Sequence, residues 1–110
     1  MRVGIGEIGP LPEVKRLEDA ILIAENNLGV VAGQAGRLDE AAAHFSRSAE
    51  LDPDAPQTHR NLGMTYLQLG ELEEARAAFE ATLRIAPDDA GARQGLDEVL
   101  RRIGSRPGMR

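Results

Sequence analysis

The sequence predicts an all-α fold of about five helices, paired into antiparallel hairpins and stacked one on the next. Three observations predict it. First, Phe45 and Phe79 lie 34 residues apart, and their surroundings recur at the same offset. Leu28-Gly29 returns as Leu62-Gly63, Leu38 as Leu72, Glu40-Ala41 as Glu74-Ala75, and Pro53-Asp54 as Pro87-Asp88. A fixed period of this length marks a stack of identical supersecondary units. Second, a chain rich in Ala, Leu, Glu and Arg favours helix over strand. Third, the helix-ending residues obey the same period, with Gly36 returning as Gly70 and Pro53 as Pro87.

Each element follows from its own residues. Pro12 suits the first turn of a helix, where a missing N–H costs nothing. From there Val14, Leu17, Ile21, Ala24, Leu28, Val31 and Ala35 recur at alternating spacings of three and four, on one helical face. They predict a first helix from about residue 12 to 35, with a break near Glu18-Asp19. Gly36 ends it in a left-handed conformation. A second helix begins near Leu38, with Asp39 and Glu40 complementing its dipole. Its expected buried face is Ala41, Ala42, Phe45, Ala49 and Leu51, and Asp52-Pro53-Asp54 stops it. Pro56 opens the third helix with Asp54 as its expected cap. Leu62, Gly63, Tyr66 and Leu69 form its inner stripe, and Gly70 ends it. A fourth helix runs from about Leu72 to Ile85, with Ala75, Ala78, Phe79, Thr82 and Leu83 inward. A fifth runs from about residue 90 to 103. Its Leu96, Leu100 and Ile103 fall 34 residues after Leu62, Tyr66 and Leu69, so it reads as half of a third unit acting as a lid.

Composition bounds the function. The 110 residues leave room for one domain, and only 3% are aromatic, so packing must come mainly from Ala, Leu, Ile and Val. A net charge of −5 argues against nucleic acid or an anionic membrane as partner, since both require a basic face. The absence of cysteine excludes disulfides and thiol chemistry. No apolar run is long enough to span a bilayer, and the N-terminus lacks the apolar core of a signal peptide. The expected location is cytoplasmic. Residues 1–11 read as a flexible leader and 105–110 as a disordered basic tail.

The repeated residues resemble the tetratricopeptide repeat family, a helix–turn–helix unit of 34 residues. The second unit carries Leu62-Gly63, Tyr66, Ala75, Phe79 and Pro87. The first carries Leu28-Gly29, Ala41, Phe45 and Pro53, with Ala32 in the place of Tyr66. The partial third unit keeps Leu96 but has Asp97 where the glycine would stand. Glu25 and His59 occupy places that often hold a large aromatic, and Ser48 and Thr82 replace a small apolar residue. The resemblance covers about residues 22–104, with units at about 22–55 and 56–89 and a capping helix at 90–103. It implies a right-handed superhelix and a role in protein binding rather than catalysis. Gly29 and Gly63 let the second helix of each pair approach closely, and Phe45 and Phe79 fill the space between hairpins.

In that family the first helix of each unit lines a concave groove. The matching positions here are Ile23, Asn26, Asn27, Val30 and Gln34, then Gln57, Arg60, Asn61, Met64 and Gln68, then Gln94, Glu98, Arg101 and Arg102. Asn and Gln can hydrogen-bond the backbone of an extended peptide, with Asn27 and Asn61 as the main-chain clamps. Arg60 and Arg101 would grip a carboxylate, and Ile23, Val30 and Met64 would add apolar contact. One subclass clamps the C-terminal carboxylate of heat-shock chaperones with lysines. Here those places hold Asn26 and Gly91 and only Asn61 matches, so the resemblance does not imply that role.

Other signals carry less. Gly4-Ile5-Gly6-Glu7-Ile8-Gly9 has dinucleotide-loop spacing but lacks the preceding strand and following helix that such a site needs. His44 reads as exposed beside Glu40, and His59 as packed at the open end of a hairpin. Neither belongs to a set of three or four converging metal ligands. Glu71, Glu73 and Glu74 complement a helix dipole. No catalytic set, cofactor or metal site is expected. A different functional class is self-association: about two and a half units fall short of the usual three. Val14, Leu17 and Ile21 leave the first helix apolar with no hairpin before it, and a two-fold dimer would cover them.

Overall fold

The computed structural model describes residues 12–105, with side chains from Lys15 onward. The expected leader, residues 106–110 of the expected tail and the Val14 side chain lie outside the described residues. Five helices follow in order: α1 Pro12–Gln34, α2 Leu38–Leu51, α3 Pro56–Leu69, α4 Leu72–Ile85 and α5 Ala90–Gly104. Each packs on the next, and α3 also packs on α5. The described residues therefore form an all-α stack of helix hairpins.

The hairpin turns repeat to the bond. Gly36 and Gly70 have φ of 79° and 80°. At the first turn Gly36 N–H donates to the Gly33 carbonyl and Arg37 N–H to that of Ala32. At the second, Gly70 donates to Leu67 and Glu71 to Tyr66. This pattern satisfies the last carbonyls of α1 and α3 and turns the chain back, which only a residue tolerant of positive φ permits cheaply. Pro56 occupies the first turn of α3, but the cap is Ala55, not Asp54, and no side chain caps that helix. Asp54 instead donates its own N–H to Asp52 Oδ1 at 3.2 Å in the turn. α1 runs unbroken through Glu18-Asp19. Lys15 Nζ lies 3.0 Å from Asp19 Oδ1, an i,i+4 pair that supports the helix there.

Two core clusters hold the stack. Ala32, Ala41, Ala42, Phe45, Leu62 and Ala78 form the first. Leu72, Ala75, Phe79, Ala92 and Val99 form the second, and Tyr66 packs against both. The glycines set the spacing. A Cβ on Gly29 would lie 2.6 Å from the Phe45 ring, and one on Gly63 would lie 2.7 Å from that of Phe79. Each aromatic therefore sits in the notch its hairpin's glycine leaves. Full burial of such a ring contributes on the order of 1.5–3 kcal/mol.

Two expected core leucines are not in the core. Leu51 and Leu100 are each 44% exposed. At the end of α2, Ser48 takes the inward place and is fully buried, 3.4 Å from Thr58 Oγ1 on α3. On α5 the inward place belongs to Val99, because Gly95 and Ala92 turn that face toward Phe79. Thr82 is also fully buried, its hydroxyl donating to the Ala78 carbonyl at 2.9 Å, so this polar substitute leaves no unmet donor.

Candidate functional site

The glycines of α5 and their counterparts on α3 shape the face made by α1, α3 and α5. Gly91 and Gly95 let α5 settle onto α3. A Cβ on Gly95 would lie 2.3 Å from the Phe79 ring, and one on Gly91 would lie 3.1 Å from Arg60 Cδ. Phe79 is thus clasped between Gly63 and Gly95. Thirty-four residues earlier, α3 carries Gln57 and Asn61 at the positions of Gly91 and Gly95. Their side chains stand between α1 and α3, and those two helices are not in the same direct contact. The sequence comparison passed over Gly95, because it looked for a glycine at the motif position held by Asp97. The signal that could have found it is the Gly91/Gly95 pair at helical spacing four.

Two clefts result. One, of about 280 Å³, lies between α1 and α3 with Phe45 at its floor. Gly29, Val30, Gly33 and Gln34 face Asn61, Met64, Thr65 and Gln68 across it. The other, of about 450 Å³, lies between α3 and α5 over Gly91 and Gly95. Arg60, Asn61, Met64 and Leu67 face Gln94 and Glu98. Asn61 and Met64 line both clefts and form the ridge between them. Met64 is 45% exposed although it lies mid-helix. A third cleft, of about 150 Å³, brings Ile23, Asn26 and Gln57 together near Ser48 and Thr58. The Asn26 Oδ1 atom is enclosed there without a hydrogen-bond partner. Asn27, the remaining groove position on α1, is exposed.

The charged residues of this face are engaged with one another. Arg60 Nη1 donates to Asp89 Oδ2 at 2.5 Å, and Asp89 is also the N-cap of α5, accepting from Ala92 N–H at 2.9 Å. The Ala92 N–H and then the Arg60 guanidinium hold the Asp89 carboxyl below the usual carboxylate range, against the opposing effect of burial. Arg60 therefore ties the start of α5 to α3. Arg101 bonds to Glu98 Oε1, and Arg102 Nε bonds to Glu98 Oε2 at 2.8 Å. Those two contacts lower the Glu98 carboxyl pKa and the first raises that of Arg101. By contrast, the side-chain amides of Asn27, Gln34, Gln57, Asn61, Gln68 and Gln94 make no hydrogen bond to other described residues.

The histidines are structural. His44 is not on an open outer face. Its Nδ1–H donates to Glu25 Oε2 at 2.9 Å, and Arg47 Nε lies 3.5 Å from the same oxygen. Glu25 holds the place of a large aromatic and latches α1 to α2 with charge instead of ring area. His59 Nε2–H donates to the Pro53 carbonyl at 2.7 Å and closes the α2–α3 turn. Among the described residues no three His, Cys, Asp or Glu side chains gather as a metal site would require, and no helix is long and apolar enough to cross a membrane.

The family model described as tetratricopeptide repeat matches residues 26–90. Among solved structures, the first tetratricopeptide repeat domain of Spaghetti (RPAP3), bound to the HSP90 peptide SRMEEVD, is similar at 18% identity. The likeness covers 78% of this chain and 95% of that one, with a TM-score of 0.45. No match is found among curated proteins.

Proposed function

The chain belongs to the tetratricopeptide repeat family, and from that premise we propose that it is a protein-interaction module, an adaptor that holds a partner segment in the α1/α3/α5 groove. One observation carries the reading: unpaired side-chain amides line two clefts that share the half-exposed Met64. Amides both donate and accept, so they suit the alternating N–H and C=O groups of an extended backbone. Met64 offers an adaptable apolar contact at the ridge. The groove's arginines already have carboxylate partners, so the reading favours main-chain recognition with an apolar anchor over capture of a free carboxylate. Asn61 is the central clamp, with Asn27, Gln34, Gln68 and Gln94 along the groove. No catalytic step is assigned to any residue, and a cytoplasmic location belongs to the same proposal.

The test is selection of peptides from a random display library on the intact protein, followed by affinity measurement on variants. Asn61→Ala is expected to weaken a selected peptide by roughly five- to thirty-fold, the loss of one or two buried hydrogen bonds. Arg84→Ala, on the exposed surface of α4, is expected to leave affinity unchanged. Equal effects from both substitutions would place the binding surface elsewhere.

A further inference from the structure

The two hairpins treat one buried corner differently. In the second, Arg60 fills it with a side chain of the chain itself. Its guanidinium Nη1 donates to Asp89 Oδ2 at 2.5 Å, and its Cδ lies so close to Gly91 that a Cβ there would stand 3.1 Å away. The fully buried hydroxyl of that unit, on Thr82, donates to the Ala78 carbonyl at 2.9 Å. A cation, its carboxylate and a satisfied hydroxyl complete the arrangement.

Thirty-four residues earlier, Asn26 stands for Arg60, Ala55 for Asp89, Gln57 for Gly91 and Ser48 for Thr82. All four line the cleft of about 150 Å³ where α1, α2 and α3 meet. Asparagine is shorter than arginine and uncharged, and the polar atoms around it are short of partners. Asn26 Oδ1 is sealed from solvent and accepts no hydrogen bond. Ser48 and Thr58 are 0% and 2% exposed, and their hydroxyl oxygens meet each other at 3.4 Å, longer than the usual separation of about 2.7–2.8 Å. Asp52, also in this cleft, accepts the Asp54 N–H at 3.2 Å and forms no salt bridge with a described residue. Buried acceptors of this kind destabilise a fold unless a donor meets them. The cleft is larger than a single bridging water needs, since one water takes about 30 Å³ of the liquid.

We propose that this cleft takes a basic side chain, lysine or arginine, from the partner segment. That a segment lies nearby rests on the groove reading, whereas the preference for a cation rests on the cleft's own residues. The carbonyl of Asn26, the hydroxyls of Ser48 and Thr58 and the carboxylate of Asp52 all accept hydrogen bonds, and a cationic head supplies several N–H donors at once. Leu22, Ile23 and Ala55 line the same cleft and suit the aliphatic stem behind such a head. Charge agrees. An adjoining cleft shares Leu22 and Asp52 and adds Lys15, Glu18 and Asp19. Lys15 is the one cation lining either cleft among the described residues, and Asp19 holds it at 3.0 Å. The remaining carboxylates, Glu18 and Asp52, leave this end of the groove acidic and attract a cation. Arg60 shows that the repeat accommodates a cation at this register.

NMR titration of the ¹⁵N-labelled full chain tests it, with Nα-acetyl-lysine amide and Nα-acetyl-arginine amide as probes. Saturable shifts are expected at the Asn26 side-chain amide and at the backbone of Asp52, Ala55 and Thr58. Nα-acetyl-norleucine amide, which keeps the stem and lacks the charge, is expected to bind about tenfold more weakly or worse, the loss of hydrogen bonds to a charged group. Asn26→Leu and Asp52→Asn are each expected to weaken both basic probes by a similar factor, and Arg84→Ala to leave them unchanged. If Asn26→Leu alters the fold, Asp52→Asn serves alone, because its amide oxygen can still accept the Asp54 N–H. No saturable shift at these positions, equal binding of the norleucine probe, or tighter binding of Nα-acetyl-glutamate amide overturns the proposal. A selected peptide that moves Met64 while neither basic probe reaches Asn26 overturns this proposal and leaves the groove reading standing. Basic probes that bind at Asn26 while no selected peptide moves Met64 overturn the groove reading instead.

Discussion

Phe79 is the residue on which two helix contacts converge, since its fully buried ring lies between glycines of α3 and α5. Phe79→Ala should destabilise the protein by about 3–5 kcal/mol in chemical denaturation, because the pocket is closed on both sides and cannot collapse. The glycines give a sharper comparison. Gly95→Ala places a methyl group 2.3 Å from the ring and should cost about 1–3 kcal/mol through overpacking. Gly33→Ala places one 3.9 Å from Ala41 Cβ, an ordinary contact, and should gain about 0.5–1 kcal/mol from helix propensity. If the two alanine variants unfold at the same denaturant concentration, close approach at Phe79 is not what these glycines provide. Gly63 was legible in the sequence because it repeats Gly29. Gly95 was not, because its counterparts at the same offset are Asn61 and Asn27, and the spatial clasp has no period.

At the scale of elements, the sequence showed helix bounds well because each end carries glycine or proline at a repeated place. It showed the faces less well. Leu51 and Leu100, expected inward, lie outside the core, while the apolar α1 stripe, expected to lack a covering hairpin, is exposed from Leu17 to Val31. A stripe reports only that a helix is amphipathic, whereas burial depends on which neighbour exists. The junction of α5 with α3 was likewise hidden, because Arg60 and Asp89 meet across 29 residues with no motif to link them. That junction makes a pH prediction. Asp89 has a lower carboxyl pKa folded than unfolded, so its contribution is fully present above the unfolded value of about 4 and fades as pH falls through the folded one. Asp89→Asn keeps a good capping side chain but cannot form the ion pair. Its melting temperature should therefore fall below wild type at pH 7, and the gap should narrow below about pH 4. Asp89→Ala also removes the cap and should cost about 0.5–2 kcal/mol more. A gap that stays constant from pH 7 to pH 3 contradicts this role for the carboxylate.

Over the whole molecule, the 34-residue offset organises the stack and also exposes where its units differ. The glycine pair of α5 is replaced by Gln57 and Asn61 on α3, so one inter-helix cleft is floored by backbone and the other is lined by amides. Of the groove positions carried over from the family resemblance, Val30, Gln34, Arg60, Asn61, Met64, Gln68, Gln94 and Glu98 line these clefts, whereas Ile23, Asn26 and Gln57 line a third and Asn27, Arg101 and Arg102 line none of them. Arg60, Glu98 and Arg101 are engaged in ion pairs, the amides in none. The central claim is that the α1/α3/α5 face binds an extended segment of another protein across the Asn61–Met64 ridge. Met64 makes this directly observable, since the other two methionines, Met1 and Met109, lie near the chain ends. The decisive measurement is the ¹³C-methyl methionine NMR spectrum of the protein during titration with a library-selected peptide. The account predicts that the Met64 signal shifts in step with binding, and that Asn61→Ala weakens the titration while the fold is retained. A peptide that binds fully while the Met64 signal stays in place would contradict it.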